Sequence, residues 1–145
     1  DITLDIHHTG PAHTDHDVMV ELTNARVLFA GDVIEHGRLV SSDVPRDFNV
    51  KGQIEAIKYL LKLPVETFVP GHGVTGNRQI ALDALRFLQI LYNSVNKHYH
   101  RGMLDYEMRD LVATDLYDFR EWFNFNELGR IISFVYQQVE ADAFN

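Results

Sequence analysis

Cysteine is absent from the 145 residues. That removes disulfides, thiolate metal ligands and cysteine nucleophiles, and leaves the redox compartment open. Positive charge is scarce: 13 Lys and Arg stand against 21 Asp and Glu, a formal net charge of −8. A chain without a basic face has nothing to recruit it to the phosphates of nucleic acid or to an anionic lipid surface, so neither is expected as a partner. No apolar run approaches the ~18 residues that a membrane span needs. Neither an internal repeat nor a low-complexity segment interrupts the chain. What is present is ordinary for a soluble globular protein, 46% hydrophobic and 23% charged, and it excludes a wholly disordered chain. The length fits one domain. The chain has no initiator Met and no signal-peptide pattern; it starts at Asp1 already in strand-like alternation. We therefore expect a piece of a longer protein. The compartment, cytoplasmic or periplasmic, stays open because a targeting signal would lie upstream.

The first half reads as strands. Ile2, Leu4 and Ile6 alternate with polar residues, as do Val18, Val20 and Leu22, the pattern of half-buried strands. The turn Thr23-Asn24-Ala25 leads into Arg26-Val27-Leu28-Phe29-Ala30, apolar on both faces and expected to be a central strand. A fourth strand is Glu66-Thr67-Phe68-Val69, closed by Pro70-Gly71. Between the last two, Ile54, Ile57, Leu60 and Leu61 make a helical stripe within residues 50–63, so strand, helix and strand follow in order. Helices then take over. Asn77 is a good N-cap for a helix carrying Ile80, Ala84, Phe87, Leu88, Leu91 and Val95, with cations and Gly102 at its end. Leu104, Met108, Leu111 and Val112 mark a shorter helix; Leu128, Ile131, Ile132, Val135 and Val139 mark the last, with Asn126 as its expected cap. The organisation is thus a strand-rich part, 1–75, and a helical tail, 76–145. Four strands this apolar need both faces covered, and the helices are too few, which again points to an absent segment.

Three short motifs follow strand ends: Gly10-Pro11-Ala12-His13-Thr14-Asp15, Ala30-Gly31-Asp32 and Pro70-Gly71-His72-Gly73. Ligand sites gather on loops at one end of a sheet. Two imidazoles and a carboxylate meeting there have the donor chemistry of Zn²⁺ or another first-row divalent metal. Any one motif alone reads as a turn with a solvent-facing polar residue; their order and setting together point to a site.

In this order, with an alternating strand after His-Thr-Asp, the motifs resemble the second half of the metallo-β-lactamase superfamily. The resemblance runs from the first strand to His72 and more loosely through the tail. It implies an α/β fold that is half of an αββα sandwich, and hydrolysis of an ester, thioester, lactam or similar bond by a metal-bound hydroxide. It implies that His13 is the third histidine of one metal site, Asp32 the bridging carboxylate, and His72 the histidine of the second site. Zinc is the expected metal, two per complete site and zero or one in this chain, with iron or manganese also suited. Two cations would hold Asp32 fully ionised. The departure is the absence of His-x-His-x-Asp-His. Pro11-Ala12-His13-Thr14-Asp15-His16 has proline where its first histidine belongs, and His98-Tyr99-His100 is followed by Gly102 where its aspartate belongs. The remaining ligands are expected upstream, and the fragment alone is expected to be inactive.

Around these residues, Asp15 and His16 are candidates for substrate contact or for orienting an imidazole. Glu35 and His36 follow Asp32 closely and are candidates to face substrate. One lactamase subclass has a substrate-gripping lysine near this position; an acidic group would repel a carboxylate, so the resemblance points instead to glyoxalase II-like branches with an all-oxygen bridge. Arg38 and Arg46 are readable as anion contacts or as solvated loop cations. His7 and His8 read as strand-edge caps, and His98 and His100 as partners of a helix C-terminus. The aromatic segment Tyr117–Phe125 reads as packing between tail helices before it reads as a lid. Three functions remain: half of a hydrolase acting on a small molecule, completed by a missing N-terminal half; a non-catalytic module that binds a partner or a second copy of itself; and a metal-binding module without catalysis.

Overall fold

Strand β3, Val27–Glu35, organises the sheet. In the computed structural model, which describes residues 1–39 and 47–144, the four strands run in the order β1 (Leu4–His7), β2 (Met19–Leu22), β3 and β4 (Thr67–His72). The first two pairings are antiparallel and β3–β4 is parallel. The parallel pair is joined by helix α1, Val50–Leu60, giving the expected strand–helix–strand unit. Helices α2 (Arg78–Tyr99), α3 (Arg109–Asp115) and α4 (Leu128–Ala143) follow. This is the mixed α/β architecture expected from the sequence. Arg46 lies outside the described residues. Among the described residues, no helix is long and apolar enough to cross a membrane.

Local signals fix the helix starts. The Asn49 side chain accepts from Gly52 N–H at 2.8 Å and opens α1; Asn77 accepts from Gln79 N–H at 2.8 Å and opens α2. Lys58 in α1 and Lys97 in α2 sit in the last turns, where the carbonyl ends favour cations. Ser94 donates to Asp115 at 2.7 Å and ties α2 to α3.

Several expected boundaries move. Strand β3 continues through Gly31-Asp32 to Glu35, and β4 includes Pro70-Gly71-His72, so two of the three motifs lie inside strands rather than after them. The pairing of β3 with β4 slips register between Phe29 and Gly31 and again before Glu35. A slipped parallel pair stays joined while breaking alternation, which alternation alone cannot foresee. Helix α3 begins at Arg109, leaving Leu104 and Met108 in the turns before it. Asn126 does not cap the last helix: it lies in a 3₁₀ turn, Phe125–Glu127, that runs directly into α4.

The register sorts the sheet into two faces. Met19, Glu21, Leu28, Ala30, Phe68 and Pro70 are buried beneath α1 and α2. They join Ile57, Leu60, Phe87, Leu91 and Val95 in one core that extends to α4, each large side chain contributing about 1.5–3 kcal/mol. The opposite face is apolar as well. Leu4, Ile6, Val20, Leu22, Val27, Phe29 and Val69 line up across all four strands. Among the described residues no helix covers them: Ile6 is 71% exposed, Leu4 55% and Phe29 43%. One layer of helices on one sheet, with an apolar far face, is half of a sandwich.

Candidate metal centre

The site is assembled at one end of β3 and β4. The first contributor is the loop between β1 and β2. Asp17 accepts from Thr14 N–H at 2.7 Å and from the Thr14 hydroxyl at 3.0 Å, while that hydroxyl accepts from His16 N–H at 3.1 Å. The turn these bonds close is moored to the start of α1 by Asn49 N–H donating to the Ala12 carbonyl at 2.8 Å. His13 is seated inside it, 7% exposed and edge-on to Phe48.

Asp32 comes from β3. Its backbone is held from behind by Gln53 of α1, whose side-chain amide donates to the carbonyls of Asp32 and Val33, both at 3.0 Å. His72 comes from the end of β4. The residue before it is glycine for a steric reason: a Cβ on Gly71 would overlap the Asp32 carboxylate. Gly73, after it, has φ +102° and lies against the His36 carbonyl, where a side chain has no room. His36 N–H donates to the His72 carbonyl at 3.1 Å and fixes the end of the strand.

The three motif residues meet. Asp32 Oδ2 is 3.8 Å from His13 Nε2, and Asp32 Oδ1 is 3.5 Å from His72 Nε2. One carboxylate stands between two imidazoles, each facing a different oxygen. Glu35 joins from below. It is 4% exposed, and a donor atom from each of His13, Asp32 and Glu35 falls within 4.8 Å of the others. Burial pushes the Glu35 carboxyl up to about 8; the Asp32 charge adds to the rise and Arg38 opposes it. The cavity beside it, about 10 Å³ and lined by Arg38, Gln53, Phe87 and Trp122 among others, has room for a single water at most. Glu35 therefore faces the interior.

The other candidates lie apart from this cluster or turn elsewhere. Asp15 and His16 are exposed on the His13 loop. Asp15 N–H donates to Asp47 at 2.9 Å, which holds the Asp47 carboxyl below its usual range. His36 pairs with Asp83 of α2 at 3.5 Å and packs edge-on against Trp122. Arg38 lies over the Phe123 ring. His7 bridges Tyr59 at 2.9 Å and Glu21 at 3.0 Å, and His8 contacts the Asp17 carbonyl at 2.8 Å. His98 is buried in α2, and burial lowers its affinity for a proton. The aromatic segment is packing: Trp122 stacks on Phe87 at 5.2 Å and meets Phe119 edge-on at 4.8 Å.

Sequence reasoning missed Gln53, Asp17 and Asp83. Gln53 carried a readable signal, a polar residue beside the apolar stripe of α1. Asp17 carried a weaker one, at the fourth position of a turn that opens on Thr14, directly after a histidine. Asp83 carried none.

The donors suit a divalent first-row metal: imidazole nitrogens and carboxylate oxygens converge, with open positions left over. His13 Nδ1 and both Glu35 oxygens are buried without a hydrogen-bond partner among the described residues. Polar atoms in that condition fit a site that takes a cation.

A half-sandwich whose strand ends gather two histidines and an aspartate defines one class, the metallo-β-lactamase fold. Residues 1–72 match the Metallo-beta-lactamase superfamily. No curated protein matches the chain. Among solved structures, a metallo-beta-lactamase from Pontibacter korlensis is 25% identical over 61% of this chain and 42% of its own, with a TM-score of 0.55. The metallo-beta-lactamase FIM-1 from Pseudomonas aeruginosa, in its mono-zinc form, is 19% identical over 59% of this chain and 39% of its own, with a TM-score of 0.53. A double mutant of the sec-alkyl sulfatase PisA1 is 16% identical over 94% of this chain and 24% of its own, with a TM-score of 0.72. The last two share the fold alone, and the sulfatase shares it through the helical tail as well. The match over residues 1–72 places that part of the chain in the metallo-β-lactamase superfamily, and the chain spans about two fifths of the length of these lactamases.

Proposed function

We propose that this chain supplies the C-terminal half of a metal-dependent hydrolase acting on an ester, thioester, lactam or similar bond of a small molecule, and that alone it is inactive. The observation that carries the reading is the Asp32 carboxylate set between His13 and His72. In this reading His13 and Asp32 belong to one metal, and Asp32 and His72 to a second. Zinc is the metal proposed, with iron or manganese suited to the same donors. A bound divalent cation supplies Lewis-acid polarisation of the scissile group and a water acidified toward neutrality. The chain's own residues do the positioning. Gln53 fixes the backbone of Asp32, the Thr14–Asp17 turn orients His13, and Gly71 lets Asp32 approach His72. An oxygen ligand at Asp32 fits glyoxalase II-like branches.

The proposed partner is a first sandwich half, absent from this sequence, that carries His-x-His-x-Asp-His and covers the open face of the sheet. The test is to join such a half to this chain, load zinc, and assay ester, thioester, lactam and phosphodiester substrates. Metal-dependent turnover that is lost with Asp32→Ala supports the proposal. A folded, zinc-loaded assembly with no turnover on any of these classes sinks it.

A second reading rests on its own observation, the apolar face of Leu4, Ile6, Val20, Leu22, Val27, Phe29 and Val69. Two copies packed sheet on sheet would cover it without catalysis. Sedimentation separates the two: a monomer at micromolar concentration removes this second reading.

A further inference from the structure

We propose that Glu35 is a metal ligand, and that this chain by itself holds one divalent cation between His13, Asp32 and Glu35. The proposal deepens the hydrolase reading and rests on its premise that these strand ends form a metal site.

The first support is distance. One donor atom from each of the three residues lies within 4.8 Å of the other two. Ligand atoms around a tetrahedral zinc stand roughly 3.3–3.6 Å apart, so contraction by about an ångström closes the set around a cation. The second support is the state of Glu35. Buried carboxylates have partners, yet both its oxygens are buried and neither has one among the described residues. Arg38 lines the same small cavity, but no ion pair joins it to Glu35 among those residues, and its Nε is also without a partner. The nearest chemistry that satisfies the carboxylate is therefore a cation shared with His13 and Asp32.

The backbone accounts for the arrangement. In plain alternation, residues three apart on a strand point to opposite faces. The register slip in the β3–β4 pairing between Gly31 and Glu35 breaks that alternation between the two carboxylates and lets both reach the same side. His72 stands on the other side of Asp32, against Oδ1 while His13 faces Oδ2, and its side chain is 45% exposed. It does not join the close group. The chain thus distributes His13 and His72 to opposite edges of one carboxylate, and Glu35 fills the place that a single-metal site would otherwise lack.

The test is direct binding of Zn²⁺ and Co²⁺ to the chelator-treated chain by titration calorimetry and equilibrium dialysis, with X-ray absorption on the zinc-loaded wild type. We expect one metal per chain and a spectrum with a single imidazole among oxygen donors. Glu35→Gln is expected to weaken binding tenfold or more, and to weaken it further than His72→Ala does. Melting of Glu35→Gln in chelator confirms that it folds. Two imidazoles in the wild-type spectrum, a Glu35→Gln affinity equal to wild type, or no metal bound by the wild-type chain each overturn the proposal. None of these outcomes touches the hydrolase reading, which is decided by turnover once the first half is restored.

Discussion

The side-chain amide of Gln53 donates to the carbonyl of Asp32 at 3.0 Å. Through this bond, and its twin to Val33, helix α1 sets the position of a strand residue whose own side chain serves the site. The arrangement separates holding from binding: α1 fixes the backbone, and the carboxylate stays free for His13 and His72.

Gln53→Leu keeps the size of the side chain and removes both bonds. Loss of buried hydrogen bonds of this kind costs about 1–3 kcal/mol. We expect a lower urea midpoint with an unchanged slope, and a zinc affinity reduced severalfold because Asp32 loses its fixed position. Stability and affinity both equal to wild type would show that α1 does not position Asp32.

Gly71→Ala tests the close approach of β4 to Asp32. The added methyl meets the Asp32 carboxylate and the Gly31–Asp32 backbone, so strand or side chain must move, at about 1–3 kcal/mol for overpacking. The expected result is a lower melting temperature together with loss of zinc binding. Gly129→Ala is the control. Gly129 lies in the first turn of α4, its nearest neighbour is the Arg109 side chain at ordinary contact distance, 3.9 Å, and alanine there should be neutral or stabilising by less than about 1 kcal/mol. Equal effects of the two substitutions would remove the argument from Gly71.

What could be read from the sequence, and what could not, divides along physical lines. Strand alternation, the Asn77 cap and the stripes of α1 and α2 depend on neighbours a few residues away, and the elements they announce are present. His13, Asp32 and His72 could be singled out because glycine or proline stands near each, although Gly31, Pro70 and Gly71 lie within strands rather than in turns. The interior position of Glu35 was not legible. It depends on register slips between two strands 40 residues apart in sequence, and alternation counted along one strand carries no trace of them. The start of α4 was misplaced because a 3₁₀ turn continues into the helix, so Asn126, a good cap by type, falls inside a turn. Gln53 was passed over because a stripe is read from its apolar members, and its one buried amide is the residue that reaches the site.

The pH dependence of the metal-free chain follows from Glu35. Folded, its carboxyl holds a proton up to about pH 8, against an ordinary value of 4.5. Between these values the unfolded chain gives up that proton and the folded chain keeps it. The contribution is therefore complete below pH 4.5 and is lost as pH rises through 8, worth at most about 5 kcal/mol over the whole interval. Urea unfolding in chelator from pH 5 to 8.5 should show wild type losing stability relative to Glu35→Gln, with the variant the more stable at pH 8. Parallel curves for the two proteins would contradict the burial of this carboxyl as a neutral group.

The open face of the sheet makes the last prediction. Ile6 on the edge strand and Phe29 on β3 are the most exposed of its large side chains on their strands, and both contact water only while no second layer covers them. Apolar surface that stays exposed in the folded chain gains nothing from folding; that is most of Ile6 and close to half of Phe29, so Ile6→Thr with Phe29→Ser should lower the melting temperature of a monomer by only a few degrees. The same pair should lower the binding of a hydrophobic dye. If two copies pack sheet on sheet, the substitutions should also shift sedimentation from dimer to monomer, and then the melting temperature should fall with them, because stability in a dimer is linked to association. Once a first sandwich half is joined, the same residues become core, and each substitution should cost about 2–4 kcal/mol. The reversal, from near-neutral in this chain to strongly destabilising in the completed sandwich, is the signature expected of an interior face. A large loss of stability in monomeric chain alone would instead mean that the face is already covered, and would count against both a missing half and a second copy as its partner.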